Sequence, residues 1–289
     1  MIRTLCLAVL TLCLTLGVWA GDTLRVMSYN IRMNTSSDGV NAWPHRKDKV
    51  AEMIGARYQA DVAGLQEVLV EQLRDLEERL PDYAHIGVAR DDGKEAGEFS
   101  PILYRKDRFE LLEQKTFWLS ESPDVAGTKS WDSACNRVCT WGKFKEKESG
   151  KIFFAFNTHL DHISQAARDN GTLLIWRILN NVSGTHPVVL TGDFNSRENS
   201  FPIQFLTGKA NSGEMQSDLK NTRYITETPA TGPVVTFTSW DKLGRGDSPI
   251  DYIFVRNGFS VAEHHHLDDK YGDFFPSDHL PVLSVLKFE

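Results

Sequence analysis

The sequence predicts an α/β protein, α+β in its strand grouping, with two mixed β-sheets packed face to face and helices outside. Three observations predict it. Strands and helices take turns over the first eighty residues, the middle is rich in strands, and only two of the helical stretches are long. Periodicity alone leaves a single doubly wound sheet open as the alternative.

The elements follow in chain order. "TLRVMSYNI" (23–31) alternates apolar and polar residues and reads as a strand. Val50, Met53, Ile54 and Tyr58 recur at helical spacing, so a helix covers 46–58. "DVAGLQEV" (61–68) is a second strand, which makes a β-α-β unit with a right-handed crossover. Leu73, Leu76 and Leu80 mark another helix. "PILYRK" (101–106) and "WGKFKE" (141–146) are strands, and Glu148-Ser149-Gly150 turns the latter into "KIFFAFNTHL" (151–160). The segment 113–140 reads as an insertion that lines a cleft. A helix over 163–181 precedes the strand "PVVLTGDFN" (187–195). "VVTFTSW" (234–240), "PIDYIFVR" (249–256) and "LPVLSVLKF" (280–288) complete the strands.

Residues 1–20 carry Arg3, then an apolar run from Leu5 to Val18, then Val18-Trp19-Ala20 before Gly21. That is a signal-peptide layout, with an apolar core too short to span a bilayer. A lipoprotein reading at Cys13 fits poorly, because Leu12 stands where a small residue is wanted. The expectation is an exported chain, periplasmic or extracellular, with residues 21–289 as one domain. No linker-like tract, heptad pattern or solenoid period breaks those residues.

The chain has a net charge of −7, or −8 once Arg3 is removed with the leader. Tight, sequence-independent binding of nucleic acid calls for a basic face, which this total does not offer. Only Cys135 and Cys139 lie outside residues 1–20. A disulfide between them and two free thiols both stay open, while a zinc site lacks two further ligands nearby.

Polar residues gather where strands end. Asn30 follows "VMSY", Glu67 follows "AGLQ", His159 follows "FAFNT", Asp193 and Asn195 stand in "LTGDFN", and Asp278-His279 sits between Pro276 and Pro281. Asp251 lies inside the apolar "PIDYIF", where an unpaired carboxylate is costly to bury. One such residue is an ordinary turn residue. Several of one chemical type, at strand ends that converge, form an oxygen-rich set suited to a hard cation.

"MSYNIR", "GLQEV", "NTHLDH", "TGDFNS", "IDYIF" and "SDHLPV" occur in this order and cover the chain from about 24 to 288. Together they resemble the signature set of the endonuclease/exonuclease/phosphatase superfamily. The resemblance implies a four-layer αββα sandwich with two mixed β-sheets, the DNase I-like fold. It implies that His279 is the general base toward the attacking water and that Asp251 orients it. Asn30, Glu67 and Asp278 would hold a divalent cation, Mg²⁺ with Mn²⁺ as an alternative. Asp193 and Asn195 would meet the scissile phosphate or the water, with a second ion left open, and His159 would donate on the phosphate side. By the same resemblance Glu98, seven residues before Arg105, pairs with His159, and Arg137 contacts phosphate, a task that suits a guanidinium.

The expected activity is metal-dependent hydrolysis of a phosphodiester or phosphomonoester by activated water. G-x-S-x-G and P-loop patterns are absent from the sequence. Nucleic acid, a phospholipid head group and a sugar phosphate all stay open as substrates, with the lack of a basic cluster weighing against the first. The chain is expected to be a monomer without an obligate protein partner. The competing, non-enzymatic reading is an adhesion module using Arg245-Gly246-Asp247. "HHH" (264–266) reads as a solvated strand edge, and Trp118, Trp131, Trp141 and Trp240 as core. His162 either lines the site or caps the helix after it.

Overall fold

Period-two alternation divides the side chains of β1 (Thr23–Asn30) between two different cores. Leu24 and Val26 join one apolar cluster, while Met27 and Tyr29 join another. A strand buried on both faces needs a layer on each side, and the chain supplies them. A computed structural model describes residues 23–289. The signal-peptide reading of residues 1–20 therefore lies outside the described residues.

The first sheet runs in the order β11 (Phe259–His266), β12 (Val282–Phe288), β1, β2 (Val62–Gln66), β4 (Ile102–Arg105), β3 (Tyr83–Ile86). The second runs β5 (Phe109–Trp118), β6 (Val138–Glu146), β7 (Ile152–His159), β8 (Val188–Asp193), β10 (Asp251–Arg256), β9 (Lys220–Asn221). Each sheet has a parallel pair at its heart, β1 with β2 and β7 with β8, and antiparallel pairs elsewhere. Helices α1 (Lys47–Glu52) and α2 (Val70–Arg79) cover the first sheet, with Val50, Leu73 and Leu76 in its outer core. Helices α3 (Gln165–Ser183) and α4 (Phe201–Leu206) cover the second through Leu174, Ile175, Leu179 and Phe205. This is the four-layer DNase I-like sandwich, and the doubly wound alternative falls.

The space between the sheets is uneven. At one end Phe109, Phe144, Phe153 and Phe259 pack ring against ring, as with Phe144 and Phe153 at 5.5 Å between centroids. At the other end, where the parallel pairs finish, the inward residues turn polar. That edge carries the site.

Some sequence expectations change. Residues 234–240 form no strand: Thr236 Oγ1 accepts from the N–H groups of Ile250 and Asp251, and Thr238 Oγ1 accepts from that of Trp240. Threonine hydroxyls here take backbone donors that a ladder would have used. Residues 109–118, of which 113–118 fall in the supposed insertion 113–140, are the edge strand β5, so the loop proper is 119–137. Strands β3 and β11 and helix α4 were not anticipated. In β11, His264 and His266 are buried, so the solvated-edge reading fails for them although the strand is at the sheet's edge. Among the described residues no helix is long and apolar enough to cross a membrane.

Candidate active site

Alternate residues of each central strand face the opposite sheet and grow polar toward one edge. In β1 the series is Leu24, Val26, Ser28, Asn30; in β7 it is Phe153, Ala155, Asn157, His159. In β8 it is Val189, Thr191, Asp193, and in β10, read backwards, Val255, Ile253, Asp251. Register sets Asp193 opposite both His159 and Asp251, so one level of the second sheet presents an imidazole and two carboxylates side by side. The first sheet supplies Asn30, Glu67 just after β2, and the Asp278-His279 turn before β12.

Asn30 joins the two sets. Its Nδ2 donates to Glu67 Oε1 at 3.1 Å and to Asp193 Oδ2 at 3.0 Å across the gap between the sheets. Glu67 and Asn195 both hold left-handed backbone, at φ 59° and 45°, an uncommon conformation for residues with side chains. Each is the point where an inward strand ends and its next side chain is redirected along the cleft. Ser277 Oγ donates to the Asn30 carbonyl at 2.7 Å and so fixes the proline-bounded turn against β1. From that turn His279 Nδ1 meets Asp251 Oδ2 at 2.9 Å, and Nε2 lies 3.7 Å from Asp193 Oδ2. Asn195 Nδ2 contacts His159 Nε2 at 3.0 Å and donates to the Leu160 carbonyl.

The electrostatics follow from burial and neighbours. Burial pushes the Asp193 carboxyl up, and the Asp251 charge adds to it, to about 7. Burial alone would hold His279 down, but Asp251 and Asp193 outweigh it and keep the imidazole well above its ordinary value. His159 goes the other way: burial, then the Arg137 and Arg90 charges, hold it well below. Asp278 is raised by burial, with the Glu67 charge adding to it. For Glu67 burial is outweighed by His279, the Asn30 amide, the Met33 N–H and Arg32, so its carboxyl lies below the usual range.

A basic wall faces these groups across a cleft of about 690 Å³ lined by both sets. Glu98 binds Arg90 at 2.7 Å and stands 3.9 Å from His159 Nδ1, so its first partner is the arginine. His159 Nδ1 has no hydrogen-bond partner. Arg137, only 5% exposed, contacts His162 Nδ1 through Nη2 at 3.0 Å. Its Nε lies 3.7 Å from Asp161, and Nε and Nη1 make no hydrogen bond. His162 thus lines the cleft; Asp161 and Ser164 cap α3.

All ten residues singled out in the sequence lie along this one edge. Arg32, Arg90, Asp161 and Phe237 were missed. Arg90 and Glu98 flank the Asp91-Asp92-Gly93 turn with opposite charges, a signal that could have found the pair. Phe237 sits in the irregular 234–240 segment, 48% exposed, with its ring 5.2 Å from that of His279. Cys135 faces the cleft, Cys139 is buried in the second sheet's outer core, and both are free thiols. Trp118 and Trp141 are core, and Trp131 and Trp240 are partly buried. The Arg245-Gly246-Asp247 triplet is exposed on the loop leading to β10.

Three groups among the described residues could hold a metal ion, one of them Cys135, Asp161 and His162 beside the cleft. Asp193, Asp251 and His279 bring ligand atoms within 4.8 Å of one another, though His279 Nδ1 and Asp251 are engaged with each other. Glu67 and Asp278 are half-buried carboxylates, the Glu67 charge raising Asp278, with the Arg32 guanidinium 3.7 and 3.8 Å away. Their hard oxygens, with the Asn30 amide, fit a divalent cation of the Mg²⁺ kind.

Fold and site together define a class, the hydrolases of phosphate esters whose polar groups gather between two sheets. The model of the Endonuclease/Exonuclease/phosphatase family matches residues 27–279, and the chain belongs to that family. A solved endonuclease/exonuclease/phosphatase from Bacteroides vulgatus is 39% identical, covers 92% of this chain and 99% of its own, and superposes with a TM-score of 0.85. A mannosyl-6-phosphatase from Bacteroides thetaiotaomicron is 36% identical over 92% of this chain and 100% of its own, with a TM-score of 0.83. The human Nocturnin catalytic domain, 23% identical over 92% of this chain and 95% of its own, shares the fold at a TM-score of 0.71.

Proposed function

We propose that the chain is an exported, divalent-metal-dependent phosphoesterase that hydrolyses phosphomonoesters of sugars or glycans. The observation that carries this reading is Arg137, a buried guanidinium whose Nε and Nη1 make no hydrogen bond among the described residues, in a cleft whose opposite wall is acidic. A terminal phosphate offers one more anionic oxygen than a diester, and Arg137 supplies donors for it. The basic groups, Arg32, Arg90 and Arg137, line the inside of the cleft, which suits a small phosphate better than a nucleic-acid strand. The 36% identity with a mannosyl-6-phosphatase supports the sugar ester.

Glu67, Asp278 and Asn30 would hold the cation. When bound, it neutralises phosphate charge and lowers the barrier to forming more of it. The chain's own residues do the rest. Arg137 orients the phosphate, while His159 and Asn195 offer polar contacts on the same side. Water attacks phosphorus as the bond to the sugar oxygen breaks; the water's proton passes to the Asp251–His279–Asp193 unit, and the leaving sugar oxygen takes up a proton from solvent to become a hydroxyl. With Nδ1 tied to Asp251, the imidazole presents Nε2 beside the Asp193 carboxylate. Export rests on the leader-like residues 1–20.

The test is a substrate panel with purified protein, in Mg²⁺ and in chelator: mannose 6-phosphate, 4-nitrophenyl phosphate, bis(4-nitrophenyl) phosphate, an oligonucleotide and sphingomyelin. Monoesters should lead the diesters in kcat/KM by about 100-fold, the scale of one charge-assisted hydrogen bond of about 2–3 kcal/mol. Activity should vanish in chelator and in Glu67→Ala. Faster cleavage of the oligonucleotide would refute the substrate reading, and full activity of Glu67→Ala in metal-free buffer would refute the metal site.

A further inference from the structure

The reacting groups are split between two sheets, so something must fix one sheet against the other. Apolar packing resists separation but is non-directional, and tolerates sliding. Directly beneath the site, a fully buried layer of polar side chains makes directional bonds across the gap. Asn157 of β7 is its centre, 0% exposed. Its Nδ2 leaves the second sheet and donates to two carbonyls of the first, Leu65 at 2.7 Å and Pro101 at 2.9 Å. Its Oδ1 accepts from Gln66 Nε2 of the first sheet at 2.7 Å and lies 3.0 Å from Thr191 Oγ1 in β8. Every polar atom of this amide is used.

The layer's place along the strands gives it its effect. Asn157 stands two residues before His159 on the same face of β7, and Thr191 two before Asp193 on the same face of β8. Two residues of strand are about 7 Å. On the other sheet, the bonds land on Leu65 and Gln66, immediately before Glu67 with its left-handed backbone. The fit is close: a Cβ at Gly64 would stand 2.1 Å from Thr191 Oγ1 and 2.6 Å from Asn157 Oδ1. Only glycine lets β2 approach this near.

We propose that Asn157 is a positioning residue for the reaction, holding Glu67 of the first sheet at a fixed separation from His159 and Asp193 of the second. It touches no substrate and acts through the two strands it joins. The inference rests on the phosphoesterase reading above. Misplacing reacting groups by about 1 Å lowers rates about 100-fold, with little effect on binding contacts made elsewhere.

The experiment compares Asn157→Ala, Thr191→Val, Val189→Ala and Asp193→Asn on the fastest substrate of the panel, with thermal unfolding of each. Val189 lies in the same inter-sheet space, two residues further from the site than Thr191, as a buried member of the apolar cluster there. Asn157→Ala should lose about 100-fold in kcat and Thr191→Val about tenfold, with KM within about twofold. Val189→Ala should lose stability while keeping kcat. Full kcat in folded Asn157→Ala and Thr191→Val, or an equal fall in Val189→Ala, overturns the positioning role. If Asn157→Ala does not fold, the near-isosteric Thr191→Val decides. Should Asp193→Asn keep full activity, the site reading fails and takes this inference with it. If Asp193→Asn is dead and both layer variants are normal, the positioning role alone fails.

Discussion

Acid should weaken the fold through two buried histidines of β11. The Ser284 hydroxyl donates to Thr222 Oγ1 at 2.9 Å, and the Thr222 hydroxyl donates to the Ile253 carbonyl at 3.0 Å. Neither has a proton left for His264 Nδ1, at 3.1 and 2.9 Å, so that nitrogen must itself donate. Its Nε2 is buried without a partner among the described residues, and a second proton there would have nowhere to go. His266 Nδ1 donates to the Pro233 carbonyl at 2.7 Å. Burial pushes His266 down to about 4 and His264 to about 2; Arg223 presses on both, His265 presses on His264, and Asp251 pulls His266 the other way. The unfolded chain takes up both protons near pH 6.5 while the folded chain refuses them. Stability is therefore intact above pH 6.5 and is lost as pH falls from 6.5 toward about 4. By pH 5 each ring costs about 2 kcal/mol, roughly 1.4 kcal/mol for each pH unit below 6.5. The pair removes about 4 kcal/mol from a total of typically 5–15 kcal/mol. The assay is urea unfolding followed by circular dichroism at pH 7 and pH 5, for wild type, His264→Gln and His266→Gln. Each variant should show a pH-dependent loss smaller by about 2 kcal/mol; groups titrating elsewhere are common to all three and cancel. An unchanged pH dependence in both variants would refute the reasoning.

Two further outcomes are expected. His279→Ala should lower turnover by about 1,000-fold or more, Asp251→Asn by less, and the double variant by little more than His279→Ala, because residues acting as a unit lose activity non-additively. Turnover with circular dichroism as a folding control measures this, and additive losses would show the two uncoupled. Gly64→Ala should destabilise by about 3 kcal/mol, since its Cβ would overlap the buried Thr191 and Asn157 side chains. A thermal midpoint equal to that of wild type would count against the close approach of the sheets.

Much of this molecule could be read before its structure, for a physical reason. Runs such as "KIFFAFNTHL" and "PVVLTGDFN" sit between two cores, so nearly every residue is apolar and the polar letters at the ends stand out. The same logic hid other parts. In β11 the inward positions are filled partly by His264 and His266, which look like surface residues until Thr222 and Ser284 are seen beside them. Segment 234–240 alternates as a strand should, yet its threonines bond to backbone. Asn157 reads as a blemish in an apolar run, because its partners lie 91 and 92 residues away. The meeting of the loops that carry Arg90 and Arg137 in one cleft is encoded by no local pattern, although the family resemblance picks out Arg137. The sequence shows which residues are costly to bury; pairing across the gap shows why they are buried.

The order of the strands has a consequence for how the protein comes to exist. The second sheet is built wholly from residues 109–256, while the first combines residues 23–105 with residues 259–288. β12 sits between β11 and β1, so β11 cannot join the first sheet until residues 282–288 are in place. The turn bearing Asp278 and His279 immediately precedes that strand. A nascent chain can therefore assemble the second sheet while attached to the ribosome, yet remain without Asp278 and His279 of its reactive edge. Insertion of β12 and the gain of chemical competence become one event, and a fragment ending before residue 278 would have neither.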